Sequence, residues 1–367
     1  MYSQNDLDEA VAAGAISADS ATALRAFIDS QRAAPAVDEE HFRFLTGFND
    51  IFVAIAAAIL LFAVGWIGHS IGDATGFYLQ PDGPSPLAPA AIAATAWGLA
   101  LFFTAKRRMA LPSILLLLAF VGAIFATTAF VLVTAVGEPP NDQEAIYAGI
   151  IGSVSGAVAA GAAWLHWRRF RVPITVAAGA AAVAAIAIGL LIAVLGDPQP
   201  YENLIWGFVL ALGIGVFLFA MRWDSSDPAR VTRRSDVAFW LHLLAAPMIV
   251  HPVFTLLGLN DGTATIGEGL VVVALYVALG ITALAIDRRA LLVSALAYVL
   301  YALSELFKQF GAVELNIALT ALVIGSALLL LSAFWHQARR VVVGWAPAAL
   351  QARLPHLDRL ATAQPAA

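Results

Sequence analysis

The residues best suited to chemistry lie in two apolar segments of the C-terminal half. Five polar side chains of the segment 290–310 fall within roughly 80° of one another at about 100° per residue of helix. They are Ser294, Tyr298, Tyr301, Glu305 and Lys308. Charged groups within a membrane span are costly and usually mark a path for ions, protons or a substrate. The alternative is a local pair of Glu305 and Lys308 at the membrane edge, with the tyrosines as interface anchors.

The second candidate segment, 237–259, contains His242, Pro247, His251 and Pro252. Two prolines remove backbone donors, so we expect a kinked or locally opened helix, which is equally typical of a transporter site and of helix packing. On a straight helix the two histidines would lie on opposite faces, roughly 13 Å apart along the axis, and could not share one metal. We therefore interpret each as a structural histidine and predict no metal site.

Both segments belong to a chain dominated by apolar runs. The chain is 61% hydrophobic and 12% charged, and about ten of its runs are long enough for a helix to cross a hydrocarbon core of about 30 Å. In a soluble protein, so many runs would leave almost no polar surface. The sequence therefore predicts an all-α, polytopic transmembrane helical bundle. The predicted spans are 51–70, 89–105, 111–136, 145–165, 172–195, 204–221, 237–259, 269–286, 290–310 and 317–335.

The basic residues predict the orientation of this bundle. All Lys and Arg except Lys308 lie at the two ends of the chain or in every second gap between apolar runs, and the intervening gaps carry acids without arginine. By the positive-inside rule, the basic gaps and both termini are cytoplasmic. Seven tryptophans near span ends are predicted to be interface anchors: Trp164, Trp167, Trp206, Trp223, Trp240, Trp335 and Trp345.

Three parts follow from this pattern. Residues 1–48 form a small cytoplasmic helical element and a juxtamembrane segment, with a break at Gly14 and an N-cap at Ser17. Residues 49–340 form the transmembrane bundle. Residues 341–367 form an amphipathic tail on the cytoplasmic membrane surface, interrupted by Pro355.

The first 65 residues resemble a known family. The turn of Gly14, Ile16 and Ser17 within a helical pair, followed by a short polar stretch and a many-span bundle, resembles the bacterial membrane family called domain of unknown function 2157. The resemblance implies a location in the bacterial inner membrane. It carries over no catalytic residue.

Other motifs narrow the function. In the fourth span, Gly152 and Gly156 match a small-xxx-small pattern, which favours close helix packing or a dimer contact. The chain has no cysteine and no P-loop, zinc-protease, nucleophile-elbow or dinucleotide motif, so we predict neither an enzyme nor a cofactor. Nucleic-acid binding is not expected, because the basic residues are spread over five membrane-edge clusters.

The predicted partner of the chain is the lipid bilayer. Three functions remain open for such a protein. A structural or assembly partner of other membrane components is favoured, since the predicted interior has few ionisable groups; it would bind a membrane protein or a second copy of itself. The alternatives are a transporter or channel for a small solute, ion or lipid, and a sensor that signals through the N-terminal helices.

Overall fold

The computed structural model describes residues 11–24, 48–79, 83–227, 232–258, 266–289 and 316–351, together with residues 292, 296, 299, 300, 303, 304 and 354. All regular secondary structure in these residues is helical, which confirms the all-α fold class. The main helices are α1 (Phe48–Thr75), α2 (Leu87–Phe103), α3 (Ala110–Val136), α4 (Glu144–Phe170), α5 (Ile174–Leu195), α6 (Glu202–Ser225), α7 (Arg233–Leu256), α8 (Ile266–Ile286), α9 (Asn316–Ala333) and α10 (Trp335–Trp345).

Six of the helices in the described residues, α1 and α3 to α7, are long and apolar enough to cross a membrane. A seventh span results if α9 and α10 count as one, although they are bent by 79° relative to each other. Helix α2 has only 17 residues, and the apolar stretch of α8 is Val273–Ile286. The described residues thus contain several helices of spanning length but do not confirm the predicted count of ten.

The N-terminal element is described over residues 11–24. Gly14 has a φ of 68°, which breaks the helix, and the Oγ of Ser17 accepts the backbone N–H of Ser20 at 3.0 Å as a new helix begins. The predicted break and N-cap are both present. At the other end, the predicted boundary at residue 340 falls inside α10, since the chain bends earlier, at Phe334.

Helices α4 and α5 approach through backbone contact. A Cβ added at Gly149 would lie 2.5 Å from the carbonyl oxygen of Gly189, and one added at Gly156 would lie 3.0 Å from that of Ala182. The close approach at Gly156 therefore agrees with its predicted role in helix packing. A Cβ at Gly152 would meet nothing within 4 Å, because this residue lies to the side of the face that Gly149 and Gly156 share.

Helix α7 is the most buried of the six spanning helices that the structure describes. In its most apolar stretch 56% of the residues are buried, against 11–28% in the other five spanning helices. Buried side chains of α7 contribute to three separate clusters: Leu241 packs with α5 and α6, Ala246 with α8 and α10, and Val250 with α9. A change in α7 would therefore reach most of the C-terminal half.

The close contact of α6 with α7 coincides with a proline. Pro252 has no N–H, so the carbonyl of Met248, four residues earlier, lacks its usual helical donor. Gly213 of α6 packs at this point: a Cβ added there would lie 2.7 Å from the Met248 carbonyl oxygen. Helix α7 nevertheless continues through Pro247 and Pro252 without a break.

Candidate functional site

A buried carboxylate lies near the end of α6. Asp224 is only 3% exposed. Its Oδ2 atom lies 2.9 Å from Nε2 of His242 in α7 and accepts the Nε–H of Arg288 at 3.2 Å. Arg288 also donates from Nη2 to Oδ1 of Asp224, so the guanidinium binds both carboxylate oxygens. Such a bidentate pair is among the strongest hydrogen-bonded ion pairs in proteins.

The same guanidinium reaches the start of α7. Nη2 of Arg288 lies 3.1 Å from the carbonyl oxygen of Ser235 and 3.4 Å from its Oγ. We call Asp224, Ser235, His242 and Arg288 the Asp224 cluster. All four residues are buried, and His242 is 0% exposed. The cluster therefore ties the end of α6, two turns of α7 and the segment after α8 together with little exposure to solvent.

The position of Arg288 follows from the way α8 ends. Asp287 adopts a left-handed conformation with φ of 56°, and its N–H bonds to the carbonyl of Leu284. The N–H of Arg288 bonds to the carbonyl of Ala283 at 2.8 Å. These two bonds form a Schellman motif, in which aspartate replaces the usual glycine. The turn places Arg288 against α6 and α7.

Asp287 connects the same turn to α10. Its Oδ1 accepts the indole N–H of Trp335 at 2.8 Å and lies 3.8 Å from Nε of Arg339. Arg289 places its guanidinium carbon 4.7 Å from the centre of the Trp335 ring. We call Asp287, Trp335 and Arg339 the Asp287 contact. Trp335 is 3% exposed, so the prediction that it anchors in the headgroup layer is wrong: its N–H has a carboxylate partner inside the protein.

The predicted kinked-helix site is split between two places. His242 belongs to the Asp224 cluster, whereas His251 stacks edge-on against Trp206 of α6, with 4.8 Å between ring centres. Both rings thus contact α6, although a straight helix would place them on opposite faces. Pro247 is exposed and Pro252 is buried. Within the part of the chain that the structure describes, no group of three or more His, Asp or Glu side chains is placed to hold a metal.

The other candidate, the polar stripe, lies outside the described residues. This applies to all five of its members: Ser294, Tyr298, Tyr301, Glu305 and Lys308. Their shared helical face therefore stays a prediction from the sequence.

A second buried histidine lies in the N-terminal half. His166, near the end of α4, is 0% exposed, and its Nδ1 lies 3.3 Å from Oγ1 of Thr175 in α5. Aromatic rings surround it: the centre of Phe170 is 4.6 Å away, that of Phe120 6.1 Å and that of Trp97 6.2 Å. This arrangement joins α2, α3, α4 and α5 around one imidazole, and none of the contacts described for it involves a carboxylate.

Sequence reasoning missed the charged residues of the site. Arg288 and Arg339 were counted only as markers of the cytoplasmic side, yet each is 3% exposed and each lies next to a buried aspartate. A signal was available: Asp224 and Asp287 are acids located in the basic gaps, where the orientation rule gives no reason for them. Buried charges need partners, so acids and arginines in the same gap predict internal ion pairs.

The fold and the site define a helical protein with several segments able to cross a membrane and a buried ionic cluster where α6, α7 and α8 meet. Comparison of the chain with known families, characterised proteins and solved structures finds no match. What the protein does must therefore be argued from the site itself.

Proposed function

We propose that the chain is a multi-pass protein of the bacterial inner membrane with ten spans and both termini in the cytoplasm. Ten spans result when α2, α8, the run 290–310 and α9 are added to the six spanning helices. The even number agrees with basic residues at both ends of the chain. The resemblance of the first 65 residues to the domain of unknown function 2157 family supports the same location.

We further propose that this protein is a transporter or channel for a small solute, ion or lipid, and that the Asp224 cluster is its cytoplasmic gate. The observation that carries the proposal is the bidentate Asp224–Arg288 pair, buried together with His242. Removing a charge from water costs several kcal/mol, and apolar side chains of similar size would often stabilise a static contact better. An ionic contact has a different advantage, because its groups can be hydrated when the helices separate.

The location of the cluster supports a gate. It joins the end of α6 to α7, the most buried of the six described spanning helices, and α7 contains the two prolines. Prolines remove hydrogen bonds that would otherwise hold the helix rigid, so α7 can bend at modest cost. Separation of the turn after α8 from α6 would open the cytoplasmic end of the interface that α7 shares with its neighbours.

The gate can be tested by the reactivity of a buried position. Because the chain has no cysteine, Ser235→Cys introduces a single thiol at a residue that is 8% exposed. In proteoliposomes we expect slow but measurable reaction with a water-soluble maleimide. Asp224→Asn should accelerate it, about tenfold for each 1.4 kcal/mol by which the closed state is weakened.

A matched control distinguishes opening of the gate from a general loosening of helix packing. Gly149→Leu disturbs the α4–α5 contact, far along the chain from the cluster, and should leave the reactivity at position 235 unchanged. If the thiol never reacts in a folded protein, with or without Asp224→Asn, the cluster is static and the gate proposal is wrong.

The polar stripe would supply the path behind such a gate. We expect liposomes that contain the protein and an entrapped pH dye to respond to an acid pulse faster than empty liposomes. Glu305→Gln should abolish that difference without changing expression, since a carboxylate within a span is a group able to carry a proton. An unaffected flux would remove Glu305 from the mechanism.

A second candidate is a partner in membrane assembly, and α1 favours it. Large apolar side chains recur on α1 at alternating steps of four and three residues, and each is at least 56% exposed: Phe48, Phe52, Ile55, Ile59, Phe62 and Trp66. Heptad spacing of this kind is what a second helix packs against. Purification in a gentle detergent should then bring down a stoichiometric companion or a dimer, and Phe62→Ala with Trp66→Ala should release it. A monomer without a companion would argue against this function.

A sensor is the third candidate, supported by the helix break at Gly14 and Ser17. Deletion of residues 1–40 should silence a downstream response while the bundle still inserts. A response that survives the deletion would end this proposal.

A further inference from the structure

Helix α10 turns sharply away from the axis of α9. It follows α9 after a bend of 79° at Phe334, so the two cannot be parallel spans. Its 11 residues are too few to cross a bilayer. If α9 stands across the membrane, α10 runs close to the plane of the membrane surface.

One face of α10 binds the bundle. Trp335, Arg339 and Val343 are spaced four residues apart and are all 3% exposed. Trp335 and Arg339 meet Asp287 in the turn after α8, and the next residue of that turn, Arg288, binds Asp224. Helix α10 is therefore attached at the same end of the bundle as the Asp224 cluster.

The rest of α10 carries two different exposed stripes. At about 100° per residue, Phe334, Val341 and Trp345 fall within roughly 40° of one another, and they are 55%, 53% and 73% exposed. The second stripe is polar and exposed: His336, Gln337 and Arg340. The centres of the two stripes are roughly 110° apart, with the face that binds the bundle between them on the other side.

We propose that α10 is an interfacial helix seated in the headgroup layer of the leaflet at the basic end of the bundle, and that anionic lipid in this leaflet holds the Asp224 cluster closed. The apolar stripe enters the acyl region and the polar stripe faces the headgroups, as in other helices that lie on membranes. Arg340 supplies the charge complementary to an anionic headgroup. The regulatory part rests on the gate proposed above, whereas the seating of α10 does not.

The seating is tested with nitroxide labels on the cysteine-free chain. Val341→Cys places a label on the apolar stripe, and His336→Cys places one on the polar stripe. Each variant is labelled in liposomes of phosphatidylcholine with a quarter phosphatidylglycerol. We expect the label at 341 to be relaxed mainly by oxygen and the label at 336 mainly by a water-soluble nickel complex. Equal accessibility at both positions, or greater nickel access at 341, would overturn the interfacial helix.

The lipid preference is tested by energy transfer. A fluorophore on His336→Cys should transfer more efficiently to labelled phosphatidylglycerol than to labelled phosphatidylcholine. Removal of one cationic side chain near an anionic surface weakens such a preference about fivefold, so Arg340→Gln should reduce it to that extent. No preference in the parent protein would refute the role of anionic lipid.

The link to the gate is tested with the thiol of Ser235→Cys. Replacement of phosphatidylglycerol by phosphatidylcholine should accelerate its reaction with maleimide. Arg339→Gln removes the charged partner of Asp287 on α10 and leaves the hydrogen bond from Trp335, so it should reduce the dependence of the rate on lipid while the label at 341 keeps its depth. If the rate ignores lipid charge in the parent protein, the regulatory part is wrong. If this thiol never reacts, the gate itself is wrong, and the nitroxide and energy-transfer results still decide the seating of α10.

Discussion

Replacement of Arg288 by glutamine tests the physical basis of the site. In the structure the Arg288 guanidinium makes two hydrogen bonds to Asp224 and approaches both oxygen atoms of Ser235. Glutamine removes the charge and shortens the reach, so the Asp224 carboxylate would stay buried with His242 as its remaining partner in this cluster. Removing one member of a buried ion pair typically costs about 3–5 kcal/mol. We expect Arg288→Gln to lower the free energy of unfolding by about this amount.

The measurement is reversible unfolding in mixed micelles, with a double-mutant cycle to isolate the pair. Asp224→Asn combined with Arg288→Gln leaves neither charge alone, so the double variant should be more stable than the sum of the single losses predicts, by about 0.5–3 kcal/mol. Arg233→Gln is the matched control, since Arg233 is a nearby exposed arginine, and its effect should be about 0.5 kcal/mol or less. If Arg288→Gln costs no more than this control, or if the cycle shows no coupling, the buried ion pair is refuted.

Three further predictions follow from the fold and its orientation. Gly149→Leu should destabilise the protein by about 1–3 kcal/mol, because an added Cβ would meet the α5 backbone at 2.5 Å; a normal unfolding curve would contradict the backbone contact. Gly152→Ala should instead stabilise by up to about 1 kcal/mol, since nothing lies within 4 Å of the new Cβ, and any clear loss would show that the α4 face is misassigned. In intact cells, an impermeant maleimide should label Asn141→Cys, in an acidic gap, and should reach Ser226→Cys, in a basic gap, only after permeabilisation; the reverse pattern would invert the topology.

Hydrophobic run length located the described helices α1 to α9 but not α10. The predicted run 111–136 corresponds to α3 (Ala110–Val136), and the predicted run 172–195 corresponds to α5 (Ile174–Leu195). These bounds are readable because a spanning helix is apolar on all sides, and polar turn residues end it. The ends extend by a turn where polar residues continue the helix, as in α4, which reaches Phe170 rather than stopping at residue 165.

The site could not be read from the same signal. The sequence does not distinguish an arginine that is surrounded by water from one that is surrounded by protein. The backbone turn at the end of α8 is what directs Arg288 inward. The contact face of α4 was likewise ambiguous, because the small residues offered several registers and only the approach of α5 selects Gly149 and Gly156 over Gly152. Long-range pairing, rather than local pattern, determined both outcomes.

The turn after α8 links the Asp224 cluster mechanically to the Asp287 contact. Asp287 and Arg288 are adjacent, carry opposite charges and bind in different directions, one to α10 and the other to α6 and α7. The Schellman hydrogen bonds fix the backbone from which these two side chains project. A shift of the end of α8 that separates Arg288 from Asp224 must therefore carry Asp287 with it and either move α10 or break its contact. Because both contacts are buried and charged, neither can be lost without hydration of the freed groups. Opening of the Asp224 cluster is thus expected to occur in one step with either displacement of α10 or loss of its contact with Asp287.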